Sequence, residues 1–336
     1  MKIGWGIIGI GTQADGNMAP AIIKAADTKL VAVCSRSLER ANSFATRHGA
    51  ERAYNSLEKM LEDPELNVLY VATPNSLHAE QTIQAAEAGK HVLCEKPMAL
   101  TLADSELMIQ ACNRNKVKLG VFYQHRYHPA HIEARHYIQS VIVGDITLAK
   151  VQYCRRLQSW RGWRADPSIA GAGSLMGLGV HCIDLLRYLL DSEVTEVRAM
   201  TDEEPPQRPV DEMVYAMLKF ENGAYGTMIS GIRAPHSDND VVLYGSKANV
   251  TCKGTVGKPM GNLGELLVDN DSLSVKMTFP TDELSLAQIR TVEAFNKWIE
   301  DNTEPHISGY NGLQMVRVTN AIIESSRQGK AVKIIE

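Results

Sequence analysis

The sequence predicts an α/β N-terminal Rossmann domain followed by an α+β domain with a large, mostly antiparallel open sheet. Three observations predict it. Over residues 1–123, short runs that are apolar throughout alternate with helical segments, the rhythm of a parallel sheet covered on both faces. The first of those runs ends in Gly9-Ile10-Gly11-Thr12-Gln13-Ala14, a glycine-rich turn that opens a helix. After Tyr123 the runs alternate apolar and polar residues, with turn residues such as Glu221-Asn222-Gly223 between them. That is the pattern of antiparallel strands with one solvated or partner-facing side.

Taken in order, Ile3–Ile8 reads as a strand, Met18–Ala26 as a helix, Leu30–Val33 as a strand and Leu38–His48 as a helix. Leu57–Leu61 is a short helix, Val68–Ala72 a strand, Ala79–Ala88 a helix and His91–Cys94 a strand. Leu102–Asn113 is a helix and Leu119–Tyr123 a strand, which closes the doubly wound part. The boundary falls at 123, separating 1–123 from 124–336. Beyond it, Pro129–Ser140 reads as a helix with Pro129 in its first turn. Strands are expected at Thr147–Arg156, Glu196–Met200, Val214–Phe220, Gly226–Ser230, Val241–Tyr244 and Asn249–Cys252. Asp202–Pro209 is a polar, proline-bearing loop, and Ser285–Glu300 and Gly312–Gln328 are helices.

Composition narrows the function classes. The 336 residues are 44% hydrophobic and 22% charged, with 25 Gly and 13 Pro, which is ordinary for a globular chain. A net charge of −4 supplies no basic field, so nucleic acid and anionic membrane are not expected as partners. The six cysteines, at 34, 94, 112, 154, 182 and 252, form no C-x-x-C pair, so neither a disulfide framework nor a metal site is expected. Reduced thiols fit a cytoplasmic protein. The N-terminus lacks the apolar region of a signal peptide, and no run approaches the ~18 apolar residues of a membrane span.

The glycine turn has a specific physical use. Gly9 permits the tight turn, Gly11 lets the backbone approach a pyrophosphate, and Ala14 lets helix and strand pack closely, with the helix N-terminus facing the phosphates. Residues 1–123 are therefore expected to bind a dinucleotide, with Thr12 and Gln13 in the same loop. About 20 residues further on, where an acid would hold a ribose 2′-hydroxyl, stand Ser35, Arg36 and Ser37, with Arg40 one turn beyond. Hydroxyls and guanidinium donors suit a 2′-phosphate, so NADP is favoured, with NAD possible. The same Ser35-Arg36-Ser37 also suits a helix cap. Thr73, Pro74 and Asn75, with His78, follow the third long strand and border the cofactor edge of the sheet.

Glu95-Lys96-Pro97 ends the next strand, where an ammonium can polarise a carbonyl or donate a proton and partial burial would lower its pKa. A run of small residues from Gly171 leads into an apolar helix on which Gly177, His181 and Asp184 are spaced to share a face. His181 is the residue there that titrates near neutrality.

The ordered set of motifs resembles the Gfo/Idh/MocA family of oxidoreductases over nearly the whole chain. It comprises the G-x-G-x-x-A turn, Thr73-Pro74-Asn75 with His78, Glu95-Lys96-Pro97, Arg126-Tyr127-His128-Pro129, Trp163-Arg164, and the small-residue run to His181 and Asp184. The resemblance implies hydride transfer between a nicotinamide and a sugar, inositol or related hydroxyl or ketone carbon, most like the NADP-dependent sugar reductases. It implies Lys96 and His181 as the proton-handling pair, their individual roles open. It implies substrate contacts from Lys96, Arg126, Trp163, Arg164, Gly177, His181 and Asp184, cofactor contacts from Glu95 and Lys96, and a small polar substrate. It also implies a homodimer or homotetramer formed through the C-terminal sheet.

The motif better explains His125, His128, His131 and His136 than a metal site does. One departure stands out: the family carries Asp four residues before this histidine, and here the position is Gly177. An Asp would orient the ring, favour imidazolium and accept a substrate hydroxyl. Glycine is expected to remove all three and leave room. That keeps a second reading open, a catalytically silent dinucleotide-binding regulatory protein.

Overall fold

The computed structural model describes residues 2–203, 207–257, 263–280 and 283–335. The chain divides into two compact units.

The first unit comprises Met1–Tyr123 and Gln288–Val316. Its strands are β1 (Ile3–Ile8), β2 (Thr28–Cys34), β3 (Arg52–Tyr54), β4 (Val68–Val71), β5 (His91–Cys94) and β6 (Leu119–Val121). They form one parallel sheet in the order β3-β2-β1-β4-β5-β6, the doubly wound arrangement expected. Every residue of β1 and β4 is buried, which is why their runs are apolar without alternation. The crossover helices are α1 (Ala19–Lys24), α2 (Leu38–His48), α3 (Leu57–Leu61), α4 (His78–Glu87) and α5 (Leu102–Arg114). Ser37, Ser56 and Thr101 cap α2, α3 and α5 by accepting from the backbone N–H three residues on, so their starts were sharp in the sequence.

The second unit comprises Gln124–Ala287 and Arg317–Glu336. It begins with α6 (Pro129–Gln139), β7 (Ile146–Cys154), α7 (Pro167–Ala170), α8 (Val180–Leu190) and β8 (Val194–Thr201). β9 (Met213–Phe220), β10 (Tyr225–Gly231), β11 (Val241–Gly245), β12 (Asn249–Lys253), β13 (Leu263–Asp269) and β14 (Ser274–Pro280) follow, and β15 (Val332–Lys333) lies near the C-terminus. These strands form a nine-stranded sheet ordered β14-β13-β12-β11-β7-β10-β9-β8-β15. Only the β7–β10 pair in it is parallel. β9 alternates buried and exposed residues along its length, the pattern of a sheet with one covered face.

The structure departs from the sequence reading in two places. The 124–336 stretch is not one body: residues 288–316, holding most of α9 (Glu283–Asp301) and the start of α10 (Gly309–Gln328), cluster with the first unit. The packing explains it, because the Trp5 Nε1 donates to Asn296 Oδ1 at 3.1 Å, Trp5 and Phe295 meet edge to face, and the Val121 N–H donates to the Ile307 carbonyl. Pro167–Leu190 does have the length and apolar composition of a membrane span, but 83% of its most apolar window is buried inside the protein, so its apolarity serves the core. Part of the expected Asp202–Pro209 loop lies outside the described residues.

Candidate active site

The first unit supplies a cradle made largely of main chain. β1 ends at Ile8, and Gly9 turns the chain at φ +91°. A Cβ on Gly9 would lie 2.5–2.7 Å from the backbone of Ala72 and Thr73, so only glycine lets this turn pass the end of β4. At Gly11 the situation is reversed: nothing lies within 4 Å of where a Cβ would stand. The chain is helical from Thr12 onward, through a π-type turn at Ala14–Met18 into α1. The N–H groups of a first helical turn lack intrahelical partners, and the turn that leads into this one is open on the Cβ side of Gly11. These residues fit a dinucleotide's pyrophosphate.

Past β2, Ser37 Oγ accepts from the Arg40 N–H at 3.3 Å and so caps α2. Arg36 and Arg40 are exposed, and among the described residues neither enters an ion pair. Past β4, Thr73 Oγ1 donates to Gln81 Oε1 at 2.6 Å and Asn75 is buried. His78, expected to touch the cofactor, is fully buried: Nδ1 lies 2.8 Å from the Pro97 carbonyl and Nε2 3.0 Å from the Thr73 carbonyl. Burial holds its pKa below the usual imidazole value. Its ring therefore ties the loop after β4 to the loop after β5.

At the end of β5, Glu95 Oε1 accepts from the Tyr70 hydroxyl, and Glu95 Oε2 accepts from the Lys96 N–H at 3.1 Å. Burial, reinforced by the Glu95 carboxylate, pushes the Tyr70 phenol well above its usual pKa, so it remains a donor. Gln13 of the glycine turn also hydrogen-bonds Tyr70. Glu95 thus fixes the backbone from which Lys96 projects; the Lys96 side chain is half-buried and its peptide bond to Pro97 is cis.

In the second unit the small-residue run continues as a π-type turn, Leu175–Gly179, into α8. His181 is 6% exposed; the His125 ring meets it edge-on with centroids 4.9 Å apart, and Tyr153 lies at 6.0 Å. Asp184 faces Arg126: Arg126 Nε lies 2.9 Å and Nη2 2.6 Å from the carboxylate, and both residues are buried. Two residues read from the sequence as substrate contacts therefore form one bidentate pair. The Arg164 guanidinium lies 4.3 Å above the ring of half-buried Trp163.

The room expected at Gly177 does not exist. A Cβ there would lie 2.7 Å from Cη2 and 3.2 Å from Cζ2 of Trp160, whose indole fills the space. Trp160 was not legible as a site residue, and neither was Asp211. The Asp211 carboxylate accepts from the Gly173 N–H and the Leu175 N–H, each at 2.8 Å, and holds the run leading to His181. Burial pushes its pKa up to about 6 against the pull of those N–H groups. The one sequence signal was the spacing of Gly173 and Gly177, four apart.

The histidine-rich segment is packed, not gathered. His128 Nδ1 accepts from the Ala130 N–H and caps α6. His131 lies between the His125 carbonyl at 2.7 Å and Thr255 Oγ1 at 2.8 Å, and burial pushes its pKa down to about 4. Among the described residues no group of three His, Cys, Asp or Glu side chains could hold a metal ion.

A doubly wound parallel sheet whose glycine turn at the end of β1 fits a pyrophosphate is the architecture of a dinucleotide-binding oxidoreductase domain. Comparison with known proteins agrees. Residues 3–123 match the oxidoreductase family with an NAD-binding Rossmann fold, and residues 131–251 match the GFO/IDH/MocA C-terminal domain. The chain belongs to the Gfo/Idh/MocA oxidoreductase family. It is 29% identical to 1,5-anhydro-D-fructose reductase of Ensifer adhaerens over 98% of both chains. It is 32% identical to levoglucosan dehydrogenase of Pseudarthrobacter phenanthrenivorans, over 76% of this chain and 68% of that one. A levoglucosan dehydrogenase structure in complex with NADH superposes with a TM-score of 0.89 at 26% identity, covering 100% of both chains.

Proposed function

We propose that the protein is an NADP-dependent oxidoreductase acting on a sugar or related hydroxyl or ketone carbon, with Lys96 and His181 handling the proton. The observation that carries this reading is the pairing, within the first unit, of the open cradle at Gly11 with a lysine whose backbone Glu95 fixes. A bound nicotinamide supplies or accepts the hydride. His181 exchanges the proton of the substrate hydroxyl through its ring, and the Lys96 ammonium stabilises developing negative charge, as the proton-handling pair. His125 and Tyr153 limit how the His181 ring can turn.

NADP is favoured because the tip of β2, residues 34–38, offers Ser35, Arg36 and Ser37 and no acid, with Arg40 one turn on and both guanidinium groups exposed. A sugar is favoured because the relatives are named for sugars. Self-association through the second sheet belongs to the same proposal. Met200 and Tyr215 pair across β8 and β9 and, with Met217 and Tyr225, leave exposed apolar side chains on neighbouring strands. The silent regulatory reading keeps one observation in its favour, the missing carboxylate at Gly177.

The test follows nicotinamide absorbance with NADP(H) and NAD(H) in parallel. The panel holds 1,5-anhydro-D-fructose, levoglucosan, aldoses, inositols and 3-keto sugars. Turnover of a sugar, faster with the phosphorylated cofactor, is the expected result. Tight NADPH binding without turnover of any of them would overturn it and favour the regulator.

A further inference from the structure

Two glycines of the run from Gly171 to Gly179 lie against the indole of Trp160. A Cβ on Gly173 would lie 2.8 Å from Trp160 Nε1, and one on Gly177 would lie 2.7 Å from Trp160 Cη2. The pyrrole end of the indole therefore rests on Gly173 and the benzo end on Gly177. Trp160 Nε1 donates to the Asp211 carbonyl at 3.1 Å, and the Asp211 side chain holds the N–H groups of Gly173 and Leu175. The indole is thus pinned by one hydrogen bond and two close contacts, and the residue is half-buried. His181 follows Gly177 by four residues on the same continuous helical segment.

We propose that Trp160 is a specificity-determining wall of the sugar site. It stands where a carboxylate at 177 would stand, and it presents an indole surface to the C–H face of a sugar ring. This deepens the sugar-oxidoreductase reading above and rests on it. The electron-rich face of an indole attracts the polarised C–H groups of a pyranose or anhydro-sugar. A carboxylate in its place would instead demand a hydroxyl partner, and a ring lacking one would leave a buried charge unpaired. The neutral wall removes that penalty. The favoured substrates are therefore anhydro- or deoxy-sugars with one face poor in hydroxyls, ahead of fully hydroxylated aldoses.

The experiment measures kcat and KM on levoglucosan, 1,5-anhydro-D-fructose and D-xylose for the wild type, Trp160→Phe, Trp160→Ala, Gly177→Asp and the double variant Trp160→Ala/Gly177→Asp. Trp160→Ala is expected to raise KM about tenfold, the size of one aromatic contact, with a smaller change in kcat. Gly177→Asp alone should lose both melting temperature and kcat/KM, because its side chain meets the indole. The double variant should recover much of that loss and shift preference towards D-xylose. Quenching of tryptophan emission by levoglucosan, present in the wild type and lost in Trp160→Phe, gives a readout that needs no turnover and survives a poorly folded alanine variant. Wild-type turnover with KM, sugar order and quenching all indifferent to Trp160 would overturn this inference alone. A wild type that turns over none of the sugars overturns the oxidoreductase reading and this inference with it.

Discussion

The Gly9–Lys96 region of the first unit and the Trp160–His181 region of the second are built by different means. In the first unit the working surface is mostly main chain: a positive-φ glycine, an open face at Gly11, and a lysine held through its backbone N–H by Glu95. In the second unit it is side chain against side chain: an indole on two glycines, His181 against the ring of His125, and Arg126 clasping Asp184. The first region suits a ligand that keeps one shape, since main-chain geometry changes little from one substitution to the next. The second region suits a variable ligand, because exchanging one side chain reshapes it. Families that share a cofactor and differ in substrate need that division.

Four substitutions break or sharpen this contrast, from the largest expected effect downward. Lys96→Ala should lower kcat/KM by about 10²–10⁴ while NADPH binding changes far less, measured by steady-state kinetics and fluorescence titration. Equal losses in both would make Lys96 a binding residue only. Asp184→Ala leaves Arg126 buried without its bidentate partner and should cost about 3–5 kcal/mol of stability, read from urea unfolding. A cost near zero would show that the pair is not a structural clasp.

Asp211→Asn probes the seat of the indole through pH. The folded pKa of Asp211 is raised from 3.8 to about 6. Its contribution to stability is therefore fully present below 3.8 and is lost as pH rises through about 6. The stability difference between wild type and Asp211→Asn should shift against the wild type over that window by at most about 3 kcal/mol. A flat difference would mean the carboxylate is not desolvated. The smallest effect is expected for Arg36→Ala, which should weaken NADP about tenfold and leave NAD unchanged. Equal weakening of both cofactors would remove the 2′-phosphate assignment.

The same division explains what could be read from the sequence. The inner strands β1 and β4 of the first unit are buried on both faces, so their runs are unbroken, and Leu38–His48 and Leu57–Leu61 match the structure end to end. β3 escaped notice because it is three half-buried residues at the sheet edge. β14 escaped because it alternates exposed with merely half-buried residues, which leaves little apolar contrast. Gly9, Gly11, Lys96 and His181 were legible because each belongs to a short contiguous motif. Trp160 and Asp211 were not, since folding brings them to the 173–177 turn from upstream and downstream. The attachment of residues 288–316 to the first unit is likewise a matter of which partners Phe295 and Asn296 find.

The His78 ring has a kinetic meaning of its own. It bridges the carbonyl groups of Thr73 and Pro97, so the two loops that follow β4 and β5 cannot fluctuate independently. A neutral imidazole carries one N–H, so it donates to one of these carbonyls and packs against the other, and moving either loop disturbs a buried contact. Their disorder is removed once, when the chain folds, and need not be removed again at each catalytic cycle. Amide exchange in the two loops should therefore rise together in a His78→Ala protein.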